Sequence, residues 1–153
     1  MSANDGCVDA ERIVQRQLDA YNARDVDGFM AMWASDAQYF EHPAKLLASG
    51  AAEIRARHVA RFKESNLSGR LIKRMVVGNK VVDQEVVTRT FPEGTGRVDV
   101  IAIYEVKDDK IANAWFILGA PVLDARHGES DSSGSGEMQE VSEGKFHGIA
   151  PRA

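Results

Sequence analysis

A carboxylate and an imidazole stand side by side at Glu41 and His42, closing the segment DAQYFEHP, which alternates too strictly and carries too many aromatics for a helix. A strand points successive side chains to opposite faces, so only one of the two can face inward. If that residue is Glu41, with Tyr39 on its face, burial among Phe, Trp and Val raises its pKa into the range useful for proton transfer. The competing assignment is an exposed rim glutamate and an idle edge-strand histidine. His58 is a second candidate: Ile54, His58 and Phe62 fall at i, i+4 and i+8 of one helical face, so the imidazole points where two core residues point. There it either orients or protonates a substrate oxygen, or is satisfied by a backbone carbonyl. Gln17, between Val14 and Leu18, is a polar residue on an apolar face and needs solvent, a partner or a water-lined cavity. These residue types suit acid–base chemistry inside an apolar interior.

Other chemistries find no motif. There is no GxxxxGK[ST] loop, no strand followed by GxGxxG, no HExxH, no CxxC and no nucleophile elbow, and the histidines are scattered at 42, 58, 127 and 147. No metal and no cofactor is expected. The single cysteine, Cys7, has no internal disulfide partner and no histidine close by in sequence to activate it. A formal charge of −4 argues against nucleic acid as a partner, leaving a small apolar or neutral molecule as the expected ligand. With 44% hydrophobic residues in 153, no membrane-length apolar run and a polar, acidic start, the chain is expected to be one soluble cytoplasmic domain.

The elements that must position these groups follow in order. Residues 1–8 read as a loose arm, with Asp9 as N-cap of a first helix whose apolar stripe is Ala10, Ile13, Val14, Leu18 and Tyr21. The stripe restarts at Val26, Phe29, Met30 and Trp33 after the polar break Asn22 to Asp25, giving a short second helix. After Pro43, AKLLASGA reads as a connection to a third helix, AAEIRARHVARFKES. Its Arg55, Arg57, Arg61 and Lys63 read as a solvated face, with an anion site as the alternative. From Gly69 the period becomes two: RLIKRMVVGNKVVDQEVVTRTF is two strands about a GNK turn, PEGTG leads to VDVIAIYEV, and KDDK to IANAWFIL. This is an α+β arrangement, a helical layer on a curved meander enclosing a conical cavity. On the strand VVDQEVV, Val82, Gln84 and Val86 look more cavity-like than Asp83, Glu85 and Arg89. Trp115 and Phe116 divide between the two faces of the last strand. Residues 124–153, rich in Gly, Ser and acid, read as a tail, with Phe146 and Ile149 as possible anchors.

The stretch IVQRQLDAYNARDVDGFMAMWASDA, with SGAAEIRARHVARF and KDDKIANAWFILG, resembles the family of nuclear transport factor 2, the ketosteroid isomerases and the SnoaL-like polyketide cyclases. The likeness covers Asp9 to Leu123. It implies an NTF2-like cone, three N-terminal helices on a curved, mainly antiparallel sheet with an internal cavity, and a homodimer paired through the sheet. In the isomerase branch a carboxylate on the strand after the second helix shuttles the proton. Counting forward from the DA pair puts Glu41 there; counting back from the proline puts His42 there. His58 matches a cavity-lining tyrosine of the isomerases. Their oxyanion-donating tyrosine corresponds to Gln17 and their protonated aspartic acid to Ala102, with Asp99 three residues earlier. Loss of an oxyanion donor typically costs about 2.7–4 kcal/mol in the barrier, so the implied reaction differs from ketosteroid isomerisation.

The resulting expectation is a cofactor-independent isomerase or cyclase. Glu41, His42 and His58 are its catalytic candidates, and Gln17, Tyr39, Trp33, Met32, Phe62, Gln84 and Trp115 its pocket. The alternative is a non-catalytic carrier of a small hydrophobic ligand, or a dimeric adaptor. Under either reading, Ile101 and Ile103, exposed on the outer sheet face, are expected to be covered by a second copy of the chain.

Overall fold

A computed structural model describes the backbone from Ala3 to Asp124 and the side chains from Asp9 onward. Cys7, His127, Phe146, His147, Ile149 and the tail itself lie outside those described side chains. Helix α1 runs Ala3–Ala23, α2 Val26–Met30 and α3 Ala51–Arg61. The strands are β1 Trp33–Glu41, β2 Lys45–Ser49, β3 Ser68–Val77, β4 Lys80–Phe91, β5 Gly94–Lys107, β6 Lys110–Leu118 and β7 Val122–Leu123. Three expectations change here. The first helix begins at Ala3, so Asp9 lies inside it and bonds Arg12 at 2.8 Å rather than capping it. Trp33 opens β1 instead of ending α2, and the supposed connection after Pro43 contains β2.

The corner between the first two helices is local chemistry. Arg24 takes a left-handed φ of 56°, and the N–H of Asp25 returns to the Ala20 carbonyl at 2.9 Å, closing α1. The Asp25 carboxylate then accepts the Gly28 N–H at 3.0 Å and caps α2. Asn22 behaves like a length of strand: its amide donates to Gly69 O at 2.9 Å and accepts from Gly69 N at 2.7 Å, fastening the end of α1 to β3.

The sheet order is β2-β1-β6-β5-β4-β3, antiparallel except for the parallel pair β1 and β6, with β7 added beside β5. Register shifts between Leu71 and Lys73 and between Glu105 and Val106 mark irregularities where extra residues bend the sheet. The concave face carries Val81, Val87, Phe91, Val98, Val100, Ala102, Tyr104, Ile111, Ala114 and Phe116, all buried under the stripe of α1 (Ala10, Ile13, Val14, Leu18, Tyr21) and under Ile54 of α3. The helices therefore roof a curved floor, the α+β cone anticipated from the sequence.

One close approach gives a test of the floor's edge. A Cβ built on Gly96 would lie 2.3 Å from the backbone oxygen of Val122, which cannot swing aside as a side chain can. Gly96→Ala is expected to displace β7 at a cost of about 1–3 kcal/mol. Amide hydrogen exchange should then speed up at Asp124, whose N–H bonds Thr95 O at 2.9 Å, while β4 and β6 stay protected.

Candidate functional site

Beneath the roof lies a hollow lined by Gln17, Leu18 and Tyr21 of α1, Phe29 of α2, Trp33 and Tyr39 of β1, His58 of α3, Glu85 and Val87 of β4, Val100 and Tyr104 of β5 and Phe116 of β6. Its volume is about 20 Å³, room for one water-sized molecule. The wall is largely aromatic. His58 packs 4.5 Å from the Phe29 ring centroid, Tyr39 lies 4.6 Å from Phe116, and Phe62 meets Tyr21 edge-on at 5.4 Å. Such packing fixes ring positions and keeps the local dielectric low.

Glu85 is the ionisable group at the centre. It comes from the middle of β4, is 7% exposed, and its Oε2 is buried with no hydrogen-bond partner. Burial, reinforced by the charge of neighbouring Asp83 and opposed by Arg74, pushes its carboxyl up to about 8. Asp83 is completely buried but bidentately held, receiving Arg74 Nε at 2.7 Å and Nη2 at 2.8 Å. Arg74 also donates to Gln15 Oε1 at 2.8 Å. Of two acids on one strand face, the paired one is held by a cation and the unpaired one is held neutral.

Donors line the same hollow as Glu85. Tyr21 Oη and Trp33 Nε1 are also buried without partners, and burial raises the Tyr21 and Tyr104 phenols well above their usual range, so both keep their protons. Gln17 hydrogen-bonds Tyr104 through its side chain and donates to Val14 O at 3.3 Å. The His58 ring, 1% exposed, places Nδ1 2.8 Å from Ile54 O. A carbonyl only accepts, so Nδ1 carries a hydrogen toward it and Nε2 is the ring's other nitrogen.

The residues singled out in the sequence divide. Gln17, Trp33, Tyr39 and His58 meet at the hollow. Phe62 is buried against Tyr21, Phe29 and His58, one layer behind the lining. Met32 is half-buried outside it, its carbonyl accepting the Ile111 N–H at 2.7 Å. Glu41 is not among the lining residues; its carboxylate faces Lys45 Nζ at 3.8 Å and its side chain is 19% exposed. His42 is exposed at the cis bond to Pro43.

Two assignments reverse. Gln84 is exposed on the convex face, because Asp83, Glu85 and Arg89 take the inward parity of β4 with Val81, Val87 and Phe91. Trp115 also lies on the convex face, stacked on Phe40 at 5.7 Å, and Phe116 takes the inward place. Arg61 departs from the solvated face expected of the arginines of α3: it is 2% exposed. Glu85, Tyr21 and Tyr104 were not singled out as site residues. Phe91 was the available signal for Glu85, since a terminal phenylalanine on the parity of 83, 85 and 89 marks that parity as inward.

Residues 14–114 match the family model described as a SnoaL-like domain. The chain belongs to that family. No curated protein matches it in sequence. Among solved structures, the SnoaL-like chain is similar to an uncharacterized cystatin-fold protein from Novosphingobium aromaticivorans, at 25% identity and a TM-score of 0.65, over 71% of this chain and 97% of that one. It is similar to an epoxide hydrolase of the LEH-like type from M. tuberculosis, at 13% identity and a TM-score of 0.64, over 96% of this chain and 98% of that one. A protein of ketosteroid isomerase-like fold from Catenulispora acidiphila, solved with trimethylamine, shares 16% identity and a TM-score of 0.58 over 68% of this chain and 82% of its own. The two likenesses below 25% identity establish the SnoaL-like fold and nothing about activity. Among the described residues no helix is long and apolar enough to cross a membrane, and no group of His, Cys, Asp and Glu is arranged to hold a metal.

Proposed function

We propose that this protein is a cofactor-independent acid–base catalyst of isomerase or cyclase type, acting on a small apolar carbonyl or hydroxyl compound. Glu85 and His58 are its proton-handling pair, in place of the Glu41 expected from the sequence. One observation carries the reading: Glu85 Oε2, Tyr21 Oη and Trp33 Nε1, all buried and without partners, belong to residues lining one hollow. Each such atom costs about 1–3 kcal/mol, and native folds keep few of them.

In the reaction this arrangement suits, His58 Nε2 takes a proton from the carbon beside a carbonyl. The C–H electron pair becomes a carbon–carbon double bond, and the carbonyl oxygen receives a proton or hydrogen bond from neutral Glu85. Reprotonation at another carbon completes an isomerisation, and attack of the enol carbon on a second carbonyl of the same molecule completes a cyclisation. With its carboxyl at about 8, Glu85 is mostly protonated at neutral pH and needs no further partner to serve as donor.

The hollow also limits the ligand. At about 20 Å³ it is far below the roughly 300–1,000 Å³ of drug-sized pockets, so an organic substrate must turn lining side chains aside. That size, with the convex-face group Phe40, Trp115, Ile101, Ile103 and 42%-exposed Ile117, favours a second reading: a non-catalytic adaptor that dimerises through its sheet. Deuterium uptake by cyclopentanone and cyclohexenone in D2O, followed by proton NMR, separates the two. Catalysed uptake is expected in the wild type, reduced by about 10²–10⁴ in Glu85→Gln and in His58→Phe. Uptake at the buffer rate with a folded wild-type protein supports the adaptor.

A further inference from the structure

A second group of buried polar side chains lies where the end of α3, the loop after it and the far end of β4 meet. Arg61 and Arg89 are 2% and 4% exposed, and both address the same oxygen, Glu64 Oε2, through Arg61 Nη1 and, at 3.5 Å, Arg89 Nη2. Arg89 Nη2 also donates to Thr90 O at 2.7 Å. The other Glu64 oxygen takes the Thr90 N–H at 2.9 Å, so both oxygens of the carboxylate are engaged. The Thr90 hydroxyl donates to Asn66 Oδ1 at 3.0 Å, which commits the Asn66 amide to presenting its Nδ2 elsewhere.

What remains has a single sign. Arg61 Nε and Nη2, Arg89 Nε and Nη1, and Asn66 Nδ2 are buried and have no hydrogen-bond partner, and the Arg89 guanidinium lies 4.7 Å over the Phe91 ring. All five are donors, and two guanidiniums against one carboxylate leave a net positive charge. Arginine cannot shed that charge by losing a proton. A set of donors with surplus positive charge matches a negatively charged acceptor.

We propose that Arg61, Arg89 and Asn66 form a binding site for a small oxyanion, a carboxylate or phosphate group held between the two guanidiniums. The site adjoins the acid–base hollow without sharing its lining: Arg61, Arg89 and Asn66 do not line it, and Arg89 is two inward positions along β4 from Glu85, with Val87 between. The proposal does not depend on what Glu85 does.

Thermal unfolding of the full chain, titrated separately with sodium phosphate and sodium acetate against sodium chloride of equal ionic strength, tests it. One of the two oxyanions should raise Tm with the logarithm of its concentration, by about 5–10 °C at a hundredfold excess over its Kd, with chloride giving no such rise. The phosphate and acetate arms tell the two chemistries apart. Arg89→Met, which leaves one arginine balanced by Glu64, should lose the response. Asn66→Asp puts a carboxylate among the same donors, so it should unfold at a higher temperature than the wild type in plain buffer and respond less to added anion. The proposal is overturned if neither oxyanion exceeds chloride, if Arg89→Met responds as the wild type does, or if Asn66→Asp is the less stable protein.

Discussion

Between pH 4.5 and about pH 8 the free energy of unfolding is expected to fall by on the order of 5 kcal/mol through Glu85 alone, from the two ends of its shift and about 1.36 kcal/mol per pKa unit. Burial is the main cause. The folded chain favours the neutral carboxyl, so between those two pH values it binds more protons than the unfolded chain. The contribution is fully present below pH 4.5, is lost progressively as pH rises through 8, and changes no further above that. Glu85→Gln keeps the shape and removes the titration. Urea unfolding of both proteins at closely spaced pH should show the variant gaining on the wild type across this window and overtaking it at the alkaline end. Parallel curves would mean that Glu85 ionises in the folded protein as freely as in the unfolded one.

Arg74→Met is the second large effect, with an expected loss of about 3–5 kcal/mol at neutral pH. The guanidinium makes two bonds to Asp83, at 2.7 and 2.8 Å, and the Asp83 carboxylate is wholly buried. Methionine fills much of the space but leaves that carboxylate without a counter-charge, on the same strand face as Glu85. Neutralising both members is a different matter: Arg74→Met with Asp83→Leu should recover most of the loss, because an apolar pair no longer carries the desolvation cost of a buried charge. Denaturant unfolding of the single and double variants reads both results. A single variant within about 1 kcal/mol of the wild type would show that the pair is replaceable by solvent.

The cone was legible in the sequence because its signals are long. The stripe Ala10, Ile13, Val14, Leu18 and Tyr21 identifies α1, and the GNK and KDDK turns divide the meander where the strands divide. His58 was legible for the same reason, since Ile54 and Phe62 fix its face. Short elements were not. The five residues of β2 contain one buried position, too few to show a period. The parity of β4 was misread because both faces carry valines and the inward one also carries Asp83, Glu85 and Arg89. Alternation says which residues share a face; which face is inside depends on partners such as Arg74 and Glu64, which lie on β3 and beyond α3. Glu41 fails for a related reason: it follows Tyr39 on the inward parity, but the strand ends there, and Lys45 across the hairpin is the charge it meets.

The parallel pairing of β1 with β6 sets the schedule on which this fold can be completed. Trp33 lies opposite Ile111, so β1, made early on the ribosome, has no neighbour on that side until nearly the whole described domain has emerged. At roughly 5–20 residues per second the wait is several seconds. Through it Tyr39 lacks Phe116 beneath it, and Phe40 on the opposite face lacks Trp115. The nascent chain therefore shows the aromatic β1–β2 hairpin before it owns the strand that closes over it.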